Sequence, residues 1–189
     1  MKTIIIVFIN LASSFCFSQD HFIYNENGIT ENVVVIFDNL SKDFIFKKTQ
    51  EWYKKNREPG KFTINTVNRK KSFIRMKGWK FNYTFAEYEN FTEYYDAEYV
   101  IEIYINEGNY KLFPKKLKLC PYEEIYDEDK STLEELFFCD HIDIKVGETV
   151  YNAKFGGATK LQKLIEDLFN TLNKDLENFI KEEAKKTQL

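Results

Sequence analysis

From Ala158 to about Lys186, apolar residues recur at helical spacing: Leu161, Leu164, Ile165, Leu168, Leu172, Leu176, Phe179 and Ile180. Residues three and four apart fall on one side of an α-helix, so this segment predicts a long helix with one apolar face. Such a face is built to bury, and it needs an apolar surface to lie on. In the stretch Tyr99 to Ile105, the residues Tyr99, Ile101, Ile103 and Ile105 alternate with Val100, Glu102 and Tyr104. That is the period of a strand with one face toward a core. Long helix and alternating strand together predict an α+β fold, an antiparallel sheet with helices packed on one face.

The remaining elements fit this plan. Asn32 to Phe37 is a β-branched run of strand length. Ser41 is placed to cap a helix running to about Asn56, with Phe44, Ile45, Thr49, Trp52 and Tyr53 on its apolar side. Lys54 and Lys55 suit the negative end of that helix, and Pro59-Gly60 breaks the chain after it. Strands are expected at Phe62 to Val67 and Phe73 to Trp79, around a polar turn at Asn68 to Lys71. A Tyr-rich stretch, Phe81 to Tyr95, precedes the alternating strand. Asn106-Glu107-Gly108-Asn109 then reads as a hairpin turn into a strand from Tyr110 to Leu119, which Pro114 bends or confines to an edge. Residues 20–31 read as a polar lead-in, and 121–135 as an acidic connector. Phe137 to Val146 and Val150 to Phe155 are expected as a supplementary hairpin. Aromatic residues make up 17% of the chain, which favours sheet.

The first eighteen residues set the expected compartment. Lys2 precedes an apolar run, Ile4 to Phe17, and Cys16-Phe17-Ser18 puts small residues at the two positions a signal peptidase reads. The run is short of the roughly 20 residues a membrane span needs. The layout predicts a signal peptide over 1–18, cut near Ser18/Gln19, and one secreted or periplasmic domain over 19–189 with no transmembrane segment. Phe15, directly before Cys16, argues against a lipid-carrying cysteine. Removing the leader takes away Lys2 and no acid, which leaves the mature chain one unit more negative than the −3 of the full sequence. A mildly acidic protein is unsuited to bulk binding of nucleic acid or anionic lipid. Cys120 and Cys139 survive cleavage and form a candidate disulfide in an oxidising compartment. Two buried thiols are the alternative.

Familiar chemistry is absent from the sequence. There is no G-x-S-x-G, H-E-x-x-H, phosphate-binding glycine loop or dinucleotide fingerprint, and no catalytic residue, metal ligand or cofactor is assigned. Cys139 and His141 would share one face of a strand with Asp140 turned away, which reads as plain strand. Asp127 to Ser131 begins like a calcium loop, but Thr132 stands where glycine belongs and Phe138 where the closing glutamate belongs. The sheet offers a better candidate. With Ile74 and Met76 facing the helices, Arg75, Lys77 and Trp79 share the opposite face, beside Lys115, Lys116 or Lys118. Such a basic-aromatic platform can bind a ligand, a glycan or an anionic partner. The alternative is a solvated face whose long side chains cover a twisted sheet.

The segments NVVVIFDNLSKDFIFKKTQEWYKKN, FTINTVNRKKSFIRMKG and YVIEIYINEGNYKLFPKKL resemble a family of secreted bacterial domains of unknown function with a TATA-binding-protein-like fold. The residues that carry the likeness are the Leu40-Ser41 turn, the Glu51-Trp52 pair and the hairpin from Ile101 to Lys111. It covers roughly residues 30–119 and a closing helix at 158–186, while 120–157 departs from the pattern and reads as an insertion. The resemblance implies a β-α-β-β-β-β-α order and brings no activity. The expected function is a non-enzymatic binding or interaction module of the bacterial cell envelope, its partner a protein or small-molecule ligand and not nucleic acid. Two alternatives stay open. One is a hydrolase-like enzyme centred near His141, and the other an assembly protein that docks through its C-terminal helix.

Overall fold

The computed structural model describes residues 21–25, 28–56, 62–87, 89–121, 140–142 and 158–187. Two short strands, β1 (Tyr24–Asn25) and β2 (Gly28–Ile29), lead to β3 (Val33–Ile36) and helix α1 (Lys42–Lys55). Then follow β4 (Phe62–Asn68), β5 (Phe73–Glu87), β6 (Thr92–Asn106), β7 (Asn109–Pro121), β8 (Asp140–Ile142) and helix α2 (Ala158–Thr187). The main sheet is antiparallel, in the order β3-β7-β6-β5-β4, with β8 also paired to β7. Strand β3 and strand β4 lie on opposite edges, so α1 connects them across one face. This is the β-α-β-β-β-β-α order expected, with helices on one side.

Local chemistry sets each boundary. The Ser41 hydroxyl accepts from the Phe44 amide at 3.2 Å, Asp43 lies in the first turn, and Lys54 and Lys55 lie in the last. Each complements the charge of its helix end. Gly108, at φ +66°, takes the left-handed backbone that the β6–β7 turn requires. That turn is tied to the start of the chain: Phe37 N–H donates to the Gly108 carbonyl at 2.7 Å, and Gly108 N–H donates to Leu40 at 3.1 Å. Pro114 sits between the β7 residues paired with β3 (109–112) and those paired with β8 (117–119). Its missing N–H therefore costs no ladder bond on that side, and the adjoining β6–β7 register shifts by one residue.

The core lies between sheet and helices. Tyr99, Ile101, Ile103 and Ile105 of β6 are buried in the core, as are Ile74 and Met76 of β5. Helix α2 contributes Leu161, Ile165, Leu168, Phe169, Leu172, Leu176 and Ile180, all buried. Each such side chain contributes roughly 1.5–3 kcal/mol. This corrects the docking-helix alternative. Leu172 is buried and Phe179 packs against the core beneath the Lys55 ammonium, so the apolar face of α2 is occupied by the protein's own sheet.

Other expectations need adjustment. The lead-in at 20–31 contains the β1–β2 hairpin, which is fastened to α2. Asn170 bonds both backbone groups of Phe22, at 2.6 and 2.9 Å, and Tyr24 N–H donates to Glu166 at 2.6 Å. The Tyr-rich stretch belongs to two fifteen-residue strands, β5 and β6. Their ladder has a bulge, where Lys80 pairs with Ala97 and Thr84 with Tyr95, so Phe81, Asn82 and Tyr83 oppose a single residue. Of the supplementary hairpin, the described part is β8. Among the described residues no helix is long and apolar enough to cross a membrane.

Candidate functional site

The open face of the sheet is assembled by register. Cross-strand partners share a face, so β5, β6 and β7 lay out successive rows there. They run Phe73, Tyr104, Lys111; then Arg75, Glu102, Phe113; then Lys77, Val100, Lys116; then Trp79, Glu98, Lys118. Strand β8 extends the last row, because His141 is the register partner of Lys118. Arg75, Lys77 and Trp79 therefore do line one face, with Lys115, Lys116 and Lys118 on β7 across the intervening β6. His141, a separate candidate in the sequence, falls at the end of the same row, placed by its backbone alone.

One end of this face is aromatic. Phe73 and Tyr104 have ring centroids 4.9 Å apart, and Phe113 meets Tyr104 edge-on at 5.3 Å. The other end is charged. Arg75 and Lys115 both reach Glu102, at 3.4 and 3.5 Å, and Lys77 reaches Glu98 at 2.7 Å. The two glutamates are almost covered by these long side chains. Lys77 also lies over the Trp79 ring, 5.4 Å from its centroid. Asp96, one row further, accepts from the Asn82 amide at 2.7 Å. Among the described residues Lys116 and Lys118 form no ion pair, although Glu98, the register partner of Lys118, lies near enough for its charge to act on Lys116. Burial, then the charge of Lys118, holds the Lys116 ammonium below the usual lysine range. A second cation at hydrogen-bonding range is an unfavourable neighbour that an anion would relieve.

Beneath the sheet lies a feature that sequence reasoning missed. A cavity of about 530 Å³ opens between the end of α1, the middle of α2 and the β5 bulge. Trp52, Tyr99, Leu164, Leu168 and Leu172 form its apolar walls, Tyr83 and Trp79 close the bulge side, and Lys55, Lys80, Asp167 and Asp175 carry its charges. The Tyr83 hydroxyl is buried with no hydrogen-bond partner among the described residues. Burial, and secondarily the Asp167 charge, pushes its pKa far up, so it is a permanent donor. The bulge makes this arrangement, since Asn82 adopts φ +49° and turns the chain between Lys80 and Thr84. Periodicity does not signal a bulge. The Phe-Asn-Tyr triplet at 81–83 was the available hint, an asparagine tolerant of positive φ between aromatic residues.

Cys120 is buried and disulfide-bonded. Cys139 and the acidic segment Asp127 to Ser131 lie outside the described residues.

No protein-family model matches the chain, and no curated protein matches it in sequence. Two solved structures are similar to it, the first well enough to show a shared fold. A DUF4468 family protein from Bacteroides ovatus ATCC 8483 superposes with a TM-score of 0.56 at 13% identity, covering 82% of this chain and 88% of its own. A TBP-like protein from Parabacteroides distasonis ATCC 8503 gives a TM-score of 0.49 at 14% identity, covering 82% and 96%. The α+β sheet-and-helix fold of this chain is thus similar to that of the DUF4468 family protein.

Proposed function

We propose that this protein is an extracytoplasmic binding module that engages an anionic, ring-bearing partner through the open face of its sheet. The observation that carries the reading is the pair Lys116 and Lys118, which form no ion pair among the described residues and lie in the same two rows as Lys77 and Trp79, across β6. Ammonium groups supply attraction to carboxylate or sulfate, and the indole supplies a flat apolar surface for a sugar or aromatic ring. Glu98 and Glu102 hold the intervening cations in place through ion pairs. An export address is supported by the leader-like first eighteen residues and by the disulfide at Cys120, a bond that persists in oxidising compartments.

The test is binding of heparin, as an anionic polysaccharide probe, against neutral dextran of similar length, by titration calorimetry on the 19–189 protein. Saturable heparin binding that falls with salt, weakens at least tenfold in Lys116→Glu/Lys118→Glu and weakens in Trp79→Ala supports the site. Equal binding to dextran, or indifference to these substitutions, overturns it.

A further inference from the structure

We infer that the cavity between α1, α2 and the β5 bulge is a second binding site, for a small, uncharged, planar molecule that presents an oxygen acceptor to Tyr83. This goes beyond the open-face reading and uses none of its residues except Trp79, which borders both. Four features fix the chemistry. The volume, about 530 Å³, lies within the range of small-molecule sites. The walls are indole, phenol and leucine side chains, which suit a flat apolar body. The formal charges of the lining cancel, Lys55 and Lys80 against Asp167 and Asp175. Some of these charges are also engaged elsewhere: Lys163 sits 3.0 Å from Asp167, and Lys55 covers the Phe179 ring. An ion entering the cavity would meet no net charge of opposite sign and lose its hydration. The last feature is the buried, unpartnered Tyr83 hydroxyl, which donates and so calls for a carbonyl, ether or hydroxyl oxygen.

The wall is rigid where it matters. Tyr99 is buried, packed on Phe169 in a T-shaped pair with centroids 6.4 Å apart. Trp52 is buried within α1, one turn before its capped end. A ligand would thus enter a formed site rather than order one, which lowers the cost of binding.

The probe is prodan, an uncharged naphthyl ketone whose emission reports both polarity and hydrogen bonding to its carbonyl. Titration into the 19–189 protein is expected to give saturable, blue-shifted emission. Thr171→Trp, an exposed α2 position on the cavity lining, is expected to block it without disturbing the core. Tyr83→Phe is expected to weaken binding about fivefold, the worth of one neutral hydrogen bond. The same variant should leave thermal stability unchanged or raised, because it deletes an orphaned buried hydroxyl. No saturable binding, or binding indifferent to Thr171→Trp, overturns the site. So does binding abolished by Lys116→Glu/Lys118→Glu, which would place the probe on the open face. A Tyr83→Phe variant that loses stability and keeps full affinity would make the hydroxyl structural and overturn its assigned role.

Discussion

The ring of Tyr99 lies across Gly78 on the neighbouring strand, so close that a Cβ added to Gly78 would stand 2.6 Å from Tyr99 Cε2. The glycine is a vacancy in the inner face of β5, and the tyrosine of β6 fills it on its way to Phe169. Real Cβ contacts do not reach that distance, so Gly78→Ala must displace a buried ring with little room to move. The expected cost is about 1–3 kcal/mol, read as a lowered urea midpoint. Tyr99→Leu should lose packing alone yet relieve the clash, so Gly78→Ala/Tyr99→Leu should be less destabilised than the sum of the two single variants. Strict additivity would sink this account of the pair.

Helix α2 is held to β7 by a polar contact inside the core. Tyr110 O–H is within hydrogen-bonding distance of both Asn173 Oδ1, at 2.8 Å, and the Asn173 carbonyl, at 3.1 Å; both residues are buried. Tyr110→Phe would strip the donor from buried oxygens, at an expected cost of about 1–3 kcal/mol. Asn173→Leu removes one acceptor and adds apolar surface. The double variant is expected to be more stable than the summed single effects by at least about 0.5 kcal/mol, since it orphans fewer groups. Chemical denaturation of the four proteins gives the cycle, and a coupling of zero would mean that the bond adds nothing to the docking of α2.

How much of this was readable in the chain follows from which interactions have a period. The faces of β6 and α2 did, because alternation and heptad-like spacing encode burial directly, and Ile101, Ile103, Leu168 and Leu176 all lie where the pattern puts them. Ser41 and Gly108 were legible through their backbone chemistry. The candidate face of Arg75, Lys77 and Trp79 was legible from parity alone. Its neighbours were not, because rows across β6, β7 and β8 depend on register, and two one-sided irregularities at Pro114 and at residues 81–83 reset it. The cavity was invisible for the same reason: it exists where a bulge spreads the sheet away from α1 and α2. The β1–β2 hairpin was missed because Asn170 and Glu166, which anchor it, are polar residues on the helix far along the chain.

The junction of the two helices predicts a pH response. Glu183 of α2 accepts from Lys186 at 2.6 Å and from Lys48 of α1 at 2.8 Å, and Lys48 also reaches Glu51 at 2.6 Å. The bonds from Lys186, then Lys48, pull the Glu183 carboxyl down from 4.5 to about 2. Because the folded value lies below the unfolded one, the linked stability is fully present above about pH 4.5 and is lost as the pH falls toward about 2. Urea midpoints measured across that window should fall more steeply for the native chain than for Glu183→Gln. The difference should shrink with added salt, which screens ion pairs at the surface. Parallel curves would show that the two helices do not depend on this carboxylate.

The β7–β8 ladder predicts the partner of Cys120. Leu117 pairs with Ile142, Lys118 with His141 and Leu119 with Asp140, an antiparallel register whose continuation by one step would be 120 with 139. Cys120 is disulfide-bonded, and the remaining cysteines of the chain are Cys139 and Cys16, the latter within the expected leader. Peptide mapping of the protein without reduction is expected to yield a Cys120–Cys139 fragment. Closing a loop of that length is worth about 3 kcal/mol on the chain-entropy model, so Cys120→Ser should lower stability by a similar amount. Cys139→Ser should match it, and the double variant should add nothing, since either change already opens the loop. Hydrogen exchange should rise first in β8, which the bridge tethers to the sheet edge beside Lys118. Free thiols at both positions would refute the pairing.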